Sequence, residues 1–380
     1  MNLPAFALDN WLDHYKFADP PIEHDLASST GPSWTFHELI QLLDADERDR
    51  LFETELVYSA ADGGEELRSV IAEMQQVAAD QVQIVTGASE AQLILLFLAA
   101  EHGGNVILPW PCFPPMKALA ESFGLETRFY RLRRENGFRV ELSEVEALVD
   151  RSTKLLLVNS PHNPTGSKVS DEDLRSLHDF ATQRGIQFVS DEIYHPIYYS
   201  RETNSAARLP HATVIGGFSK ALSLSGLRVG WLVERDPQRL RLYCNTRQYF
   251  TISNAALSVT LATLALKHRE TIFARIRKLA RSNLALLDKF FAEHSDRLGW
   301  IRPQGGTTAF PWLVDGSNAR PFCQALAERG VLFVPGDCFG MAEHFRLGFG
   351  SSEQLSQALE RFADFLQETR SEKKDVPAVH

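Results

Sequence analysis

The feature that most constrains the fold is a regular alternation of short β-rich runs with stretches of helical periodicity. The runs occupy residues 82–86, 105–109, 127–132, 154–159, 187–191, 213–216 and 228–233. Helical periodicity fills most of the gaps, at 90–101, 115–123, 142–149 and 171–184. This spacing predicts an α/β fold, with a mostly parallel seven-stranded sheet and helices on both of its faces. Only a loop joins the last two runs, so 228–233 is the candidate antiparallel strand.

The flanking segments predict a second, smaller unit. The residues before 46 are mixed in character, and 270–293 has the pattern of one long helix. Strand-like pieces and a last helix from residue 351 follow it. We therefore expect a large α/β domain at 46–267 and a small α+β domain built from both termini, 1–45 and 268–380.

Composition argues against several classes of protein. A net charge of -10 without a basic cluster disfavours a nucleic-acid-binding surface. No apolar run is long enough to cross a bilayer, and the four cysteines show neither CxxC nor metal-ligand spacing. Residues 1–13 lack a basic segment, and Pro4 and Asp9 interrupt their apolar part. We therefore expect no signal peptide, no membrane or nucleic-acid partner, no metal and a cytoplasmic location.

A lysine follows the sixth run, at the edge of the sheet where open α/β folds bind ligands. Ser219 and Lys220 come directly after this run and Gly217-Phe218, and Arg228 lies eight positions further on. A lysine at the end of a buried strand is costly unless it is paired or chemically used. Two interpretations stay open: a lysine that bonds a ligand covalently beside a phosphate held by Ser219 and Arg228, or a solvated lysine before an ordinary turn.

Small residues open a helix after the first run. Gly87, Ala88 and Ser89 stand there, and the free backbone N–H groups of a helix N-terminus form a seat for an anion. The alternative is a plain N-cap at Ser89.

Three other strand ends carry candidate side chains. Trp110 either stacks on a flat ring or belongs to the core. Asn163 lies in a loop made rigid by two prolines and a glycine, which fixes the direction of its side chain. Asp191 ends an apolar strand, so it either meets a cation or caps a helix, and Tyr194 lies three residues beyond it.

Taken together, these residues resemble the class I and II aminotransferases, which are pyridoxal-phosphate enzymes of fold type I. The matching pieces span nearly the whole chain in the family's order: Tyr58, Gly63 and Leu67-Arg68, Gly87-Ala88-Ser89, Trp110-Pro111, Asn163-Pro164-Thr165-Gly166, Asp191-Glu192-Ile193-Tyr194, Ser219-Lys220, Arg228 and Arg346. A narrower resemblance, to capreomycidine synthase, rests on 28–31, 305–311, 334–336 and 339–340.

The resemblance implies pyridoxal 5'-phosphate as cofactor, held as a Schiff base by Lys220, which then serves as the base at Cα. It implies that Asp191 faces the pyridine nitrogen, that Asn163 and Tyr194 face the phenolic oxygen, and that Trp110 stacks on the ring. The phosphate set that it implies is Gly87, Ala88, Ser89, Ser219, Arg228 and, from the neighbouring subunit of a homodimer, Tyr58. Many relatives have a hydroxyl residue where this chain has Gly217, so one phosphate donor is missing.

For the substrate, the resemblance implies that Arg346 takes the α-carboxylate through two parallel hydrogen bonds. Asn163 and Gly31 are the other expected substrate contacts, and 27–34 and 247–254 are the expected specificity segments. No second arginine can be assigned to a distal carboxylate, so a preference for acidic amino acids has no support.

Three functions stay open at this point. One is an aminotransferase that moves the amino group of an α-amino acid to a 2-oxo acid. Another is a lyase or cyclase of the capreomycidine synthase type, acting on an arginine-like or hydroxyarginine-like amino acid, whose chemistry diverges only after the Cα proton is removed. The third, a cofactor-binding regulator without chemistry, is disfavoured because no helix-turn-helix pattern precedes residue 46.

Overall fold

Helices and strands alternate regularly in the middle of the chain and less regularly toward its ends. The computed structural model describes residues 3–374, with side chains as far as 369. The α-helices described are α1 (Ala7–Lys16), α2 (Phe36–Ile40), α3 (Ala45–Phe52), α4 (Glu65–Gln75), α5 (Ala88–Ala99), α6 (Pro114–Ser122), α7 (Leu142–Leu148), α8 (Asp171–Gln183), α9 (Pro237–Phe250), α10 (Ala256–Lys267), α11 (Arg269–Glu293), α12 (Ala319–Ala327) and α13 (Leu355–Lys374). The strands are β1 (His24–Asp25), β2 (Val82–Val85), β3 (Asn105–Trp110), β4 (Glu126–Arg131), β5 (Thr153–Asn159), β6 (Gln187–Asp191), β7 (Ala212–Gly217), β8 (Gly230–Val233), β9 (Leu298–Gly299), β10 (Thr308–Ala309), β11 (Trp312–Leu313), β12 (Val331–Leu332), β13 (Val334–Pro335) and β14 (Phe345–Gly348). Short 3₁₀ helices span Ala79–Gln81, Arg134–Asn136, Ala206–Arg208, Ser225–Leu227 and Gly336–Phe339.

The strands of the middle region form one seven-stranded sheet in the order β2-β8-β7-β6-β5-β3-β4. Neighbours from β7 to β4 are parallel, whereas β8 runs antiparallel to both β2 and β7. The predicted mostly parallel sheet is therefore confirmed, and so is its antiparallel member. Each predicted run lies within two residues of an observed strand.

Helices cover both faces of this sheet, as predicted. Successive residues of a strand enter different cores: Leu155 and Leu157 pack in one, and Leu156 and Val158 in the other. All four are at most 2% exposed. This near-continuous apolar character is typical of parallel strands that are buried on both sides.

Helix α8 shows how the local sequence builds these layers. Ser170 accepts a hydrogen bond from the backbone N–H of Asp173 at 3.0 Å, which caps the helix N-terminus. Leu174, Leu177 and Phe180 recur at helical spacing and are buried. One face of the helix therefore packs on the sheet while its acidic first turn faces outward.

One of the smaller sheets joins segments from opposite ends of the chain, and the others are formed within residues 298–348. Strand β1 pairs in parallel with β12, and β14 lies between β10 and β13 with antiparallel pairing on both sides. The division of the chain at residues 46 and 267 stays a prediction. Across residues 3–374, no helix combines the length and the apolar character needed to span a membrane.

Candidate active site

One pocket of about 240 Å³ lies at the carboxyl edge of the seven-stranded sheet. It collects the ends of β5, β6 and β7, the start of α5, a residue of β14 and one face of α1. The residues that line it are Leu8, Asp9, Leu12, Ser29, Ala88, Ser89, Gln92, Phe113, Met116, Asn159, Asn163, Asp191, Ile193, Tyr194, Ser219, Lys220, Ser225, Arg228 and Arg346. Parallel strands end at the same edge, which is why residues far apart in sequence meet here.

Lys220 is partly buried in this pocket, three residues after β7. Its Nζ donates a hydrogen bond to Oγ of Ser29 at 2.7 Å. Burial lowers the pKa of Lys220 to about 7, and the positive charges of Arg346 and Arg228 act in the same direction. A large share of this amine is therefore neutral near pH 7, so it can act as a nucleophile and as a base.

Asp191 closes the base of the pocket at the end of β6 and is 2% exposed. Its carboxylate accepts hydrogen bonds from Nε2 of Gln92 at 2.9 Å and from the backbone N–H of Ile193 at 3.1 Å. Burial raises the pKa of Asp191 to about 6, although both hydrogen bonds favour the charged form. Such a carboxylate gains most from a cation placed against it.

Two polar groups face the space above Asp191. Burial raises the pKa of Tyr194 to about 12, so its hydroxyl keeps its proton; Ser29 and Thr307 lie close enough to lower this pKa slightly, but no hydrogen bond of regular geometry joins this buried oxygen to the described residues. The backbone N–H of Asn163 donates to Oδ1 of Asn159 at 2.8 Å, which holds the loop after β5. A buried hydroxyl without a partner indicates a place for a polar ligand atom.

The start of α5, where the sequence predicts a seat for an anion, lies at the pocket. Gly87 has φ +78°, and a Cβ added there would lie 2.8 Å from Nη2 of Arg228. The backbone N–H groups of Ala88 and Ser89 belong to the first turn, where no intrahelical partner exists. Ser219 also lines the pocket. The helix dipole, these amides and the guanidinium of Arg228 converge at the start of α5, an arrangement that suits a phosphate.

Arg346 lies at the other end, in the middle of β14, and is 2% exposed. Its Nη1 donates to Oδ1 of Asn163 at 3.2 Å and its Nη2 to the carbonyl of Ala27 at 2.8 Å, whereas Nε has no partner. No carboxylate of the described residues lies within ion-pair distance of this guanidinium. A buried cation paired only with neutral groups favours an anionic ligand.

The aromatic residue at the pocket differs from the one expected. Trp110 does not line it: the Trp110 ring packs edge-on against Phe129 at 5.0 Å and lies beneath the guanidinium of Arg131 at 5.3 Å. Strand β3 continues through Trp110, so its pairing with β4 carries the indole toward that neighbour. Phe113, at the N-cap of α6, lines the pocket instead. This geometry gives no support to the stacking role predicted for Trp110, because Phe113 and not Trp110 lines the pocket.

Gly31 and Tyr58 are also absent from the residues that line the pocket. Gly31 is packed so tightly that an added Cβ would lie 2.2 Å from side-chain atoms of Ile276 and Ser223. Its neighbour Ser29 lines the pocket instead, because Thr307 donates a hydrogen bond to the Ser29 carbonyl at 2.8 Å and holds the loop in place. Tyr58 is 81% exposed and does not reach the pocket of its own chain.

Sequence reasoning missed further residues of the pocket. Gln92 lies one turn inside α5, and Leu8, Asp9 and Leu12 come from α1. The position of Gln92 could have been inferred from a polar residue in an otherwise apolar helix. The sequence gives no comparable signal for α1, since only the tertiary fold brings that helix to the sheet edge.

The chain is similar in sequence and in fold to known proteins. The family model "Aminotransferase class I and II" matches residues 31–362. Capreomycidine synthase of Streptomyces vinaceus is 31% identical over 356 residues, covering 91% of this chain and 90% of that protein. A PLP-dependent aminotransferase structure from Streptococcus suis 89-1591 superposes with a TM-score of 0.90 at 28% identity, covering 97% of this chain and 99% of the other. The structure of the PLP-dependent cyclase OrfR superposes with a TM-score of 0.87 at 27% identity, covering 97% and 98%.

Proposed function

The chain belongs to the class I and II aminotransferase family, whose expected cofactor is pyridoxal phosphate, and we propose that it transfers the amino group of an α-amino acid to a 2-oxo acid. One observation carries this proposal. A lysine whose pKa is lowered to about 7 lies between an anion seat at α5 and a buried arginine without a carboxylate partner. Phosphate and α-carboxylate are the two anions that such a reaction brings together.

The residues of the pocket fit this cofactor. The α5 seat with Arg228 and Ser219 matches a phosphate, and the orphaned hydroxyl of Tyr194 matches a ring oxygen. The Asp191 carboxylate, desolvated and fixed by Gln92, matches a protonated ring nitrogen. We assign the stacking contact on the ring to Phe113. When bound, pyridoxal phosphate supplies an electron sink that makes the Cα–H bond of an amino acid breakable.

Each side chain has a distinct task in this proposal. Lys220 holds the cofactor covalently and then, once freed, moves the proton at Cα, for which a pKa near neutrality is favourable. Asp191 holds the ring nitrogen in its charged form through a buried charge pair. Arg346 fixes the α-carboxylate and so orients the Cα–H bond toward Nζ of Lys220. Asn163 keeps Arg346 in place by accepting its Nη1 hydrogen bond.

A lyase or cyclase reaction on the same cofactor is the second candidate. The near full-length match to capreomycidine synthase and the superposition with a PLP-dependent cyclase favour it. Both reactions begin with removal of the Cα proton, so Lys220, Asp191 and Arg346 serve either one. They differ in whether a 2-oxo acid takes the amino group afterwards.

The covalent role of Lys220 is tested with Lys220→Ala. We expect this variant to lose the visible absorption band of covalently bound cofactor and all turnover, because no other amine lines the pocket among the described residues. A band that survives in Lys220→Ala would overturn the assignment. Circular dichroism of the variant is the control for folding.

The reaction itself is tested by incubating the wild-type holoenzyme with a panel of amino acids and either pyruvate or 2-oxoglutarate. We expect a new amino acid together with the keto acid of the donor. If ammonia or a cyclic product forms without a keto-acid partner, amino-group transfer is wrong and the lyase or cyclase reaction takes its place. Cofactor binding without any product would leave a regulator as the function.

We also propose that the active unit is a homodimer in which Tyr58 reaches the partner's phosphate. Tyr58 forms a backbone bridge with Ala255 beside Leu56 and Val57, and all three residues from 56 to 58 are at least 63% exposed. Exposed apolar patches of this kind favour association. The test mixes Lys220→Ala with Tyr58→Ala, because a mixed dimer regains one intact site. Activity of the mixture no higher than that of Tyr58→Ala alone would contradict this arrangement.

A further inference from the structure

The pocket contains one carboxylate that the proposed function leaves without a role. Of the two acidic side chains in its described lining, Asp191 faces the cofactor ring, whereas Asp9 lies on α1 at the mouth. No hydrogen bond or ion pair joins Asp9 to another described side chain. An unpaired carboxylate that a bound substrate would cover needs a cation there, since burying an unpaired charge is costly.

Helix α1 is fixed in the position that aims Asp9 at the pocket. The indole Nε1 of Trp11 donates a hydrogen bond to the carbonyl of Phe333 at 2.8 Å, and the guanidinium of Arg320 lies over the Trp11 ring at 5.2 Å. These contacts anchor one side of α1 to the segment before β13 and to α12. Asp9 and Leu12, which are one turn apart, then face the pocket together.

The charges around Asp9 change when the site is filled. In the protein alone, Lys220 and Arg346 are close enough to favour its charged form, while burial and the neighbouring Asp13 act more strongly and raise the pKa of Asp9. In the proposed reaction, Lys220 is first held by the cofactor and, once freed, acts as a neutral base, while the α-carboxylate neutralises Arg346. The carboxylate of Asp9 is then left facing the substrate side chain without a cation of the protein.

We propose that Asp9 binds the cationic end of the substrate's side chain, an ammonium or guanidinium group carried on a methylene stem. Leu8, Leu12 and Met116 line the pocket and offer an apolar wall for that stem. The inference rests on the proposed function and adds the substrate class: basic amino acids of the arginine or lysine type.

An acidic side chain is the less favourable occupant. The described lining contains two arginines, and both are assigned, Arg228 to phosphate and Arg346 to the α-carboxylate. A distal carboxylate would therefore meet Asp9 rather than a free cation, and like charges at close range repel.

The test compares arginine with citrulline, which has the same shape and a neutral urea group. Dissociation constants are measured on the holoenzyme by titrating the cofactor's absorbance and by calorimetry, with norleucine and glutamate as further probes. We expect the wild type to bind arginine at least about tenfold more tightly than citrulline, the lower range for a hydrogen bond to a charged group. In Asp9→Asn this ratio should fall close to one while the affinity for citrulline hardly changes.

The chain offers a matched control in Asp13→Asn, which removes the same charge one turn further along α1 and outside the pocket lining. This variant should keep the preference for arginine, and Asp9→Glu should restore part of it. The inference would be overturned if the wild type bound arginine and citrulline with equal affinity. It would also be overturned if Asp9→Asn weakened the binding of arginine and of citrulline by the same factor.

The two proposals fail in different ways. If neutral or acidic amino acids perturb the cofactor's spectrum and are converted while arginine and lysine are not, the assignment of Asp9 is wrong and the proposed function stands. If no amino acid of any charge perturbs the spectrum, the proposed function fails, and the inference fails with it.

Discussion

The two ends of the pocket each rest on an arginine, and the protein holds these arginines in opposite ways. At the proposed phosphate end, Arg228 is exposed, has a left-handed backbone at φ +51°, and donates to the carbonyl of Ser225, three residues before it, at 3.1 Å. At the proposed carboxylate end, Arg346 is 2% exposed and donates to the carbonyl of Ala27, 319 positions away. One end is built from local turns, the other from contacts across the whole chain.

This difference predicts that substitutions at the two arginines affect different ligands. The phosphate end keeps helix-terminal amides and Ser219 beside Arg228, so the loss of one cation leaves other donors. The carboxylate end has a single buried guanidinium, and the nearby amine of Lys220 is needed for the reaction itself. We therefore expect substitutions at Arg346 to act on the substrate and to be severe, and substitutions at Arg228 to act on the cofactor and to be milder.

The largest effect is expected for Arg346→Gln. Removing one member of a buried charge pair costs about 3–5 kcal/mol, so kcat/KM should fall on the order of 10³-fold for every α-amino acid. Arg346→Lys keeps the charge but loses the parallel hydrogen bonds, so kcat/KM should fall less in this variant than in Arg346→Gln. The affinity for pyridoxal phosphate, measured by absorbance titration, should change little. A KM equal to that of the wild type in Arg346→Gln would move the carboxylate site elsewhere.

The second prediction uses Lys220, which lies between the two arginines. Its neutral amine is the reactive form, so capture of pyridoxal phosphate by the apo-protein should be slow in acid, rise with pH and level off above pH 7. Between about pH 5 and pH 9 the rate should rise about 100-fold, since each pH unit below the pKa reduces the neutral fraction tenfold. The measurement is the growth of the absorption band across this range.

Burial is the main cause of the low pKa of Lys220. Both arginines lower it further, and Arg346 contributes more than Arg228. The midpoint of the capture profile should therefore move to higher pH in Arg346→Gln and move less in Arg228→Gln. A midpoint near the ordinary pKa of lysine in the wild type would show that the amine is not desolvated.

The same contrast explains how far the sequence alone could go. Gly87 to Ser89, Asp191 and Lys220 directly follow strands, and the ends of parallel strands meet by topology, so their meeting was predictable. Ser29 and Asp9 reach the pocket from segments with no such signal; Ser29 and Lys220, which are joined by a hydrogen bond, are 191 positions apart. Phe113 was missed in favour of Trp110 because the choice depends on where β3 ends and which way its last side chain points, which composition does not determine.

The third prediction concerns Arg228→Gln. Its guanidinium is exposed, so solvent screens it, and we expect the dissociation constant of pyridoxal phosphate to rise only about tenfold. The KM for amino acids at saturating cofactor should stay close to the wild-type value, in contrast to Arg346→Gln. If Arg228→Gln changed KM more than cofactor affinity, the assignment of the phosphate to Arg228 and of the α-carboxylate to Arg346 would have to be reversed.

The smallest effect is expected at Gly217, where the family resemblance leads us to expect a hydroxyl residue. A Cβ added there would lie 2.9 Å from Cδ1 of Ile193, the free end of a side chain that can rotate away. A hydroxyl in Gly217→Ser would then add one phosphate donor, and one hydrogen bond of about 1 kcal/mol tightens cofactor binding about fivefold. Gly217→Ala is the matched control, because it meets Ile193 in the same way without a hydroxyl. Equal cofactor affinities in the serine and alanine variants would contradict a missing donor. They would mean that Arg228 and the α5 amides already satisfy the phosphate. This surplus of donors would then explain why substitutions at the phosphate end have mild effects.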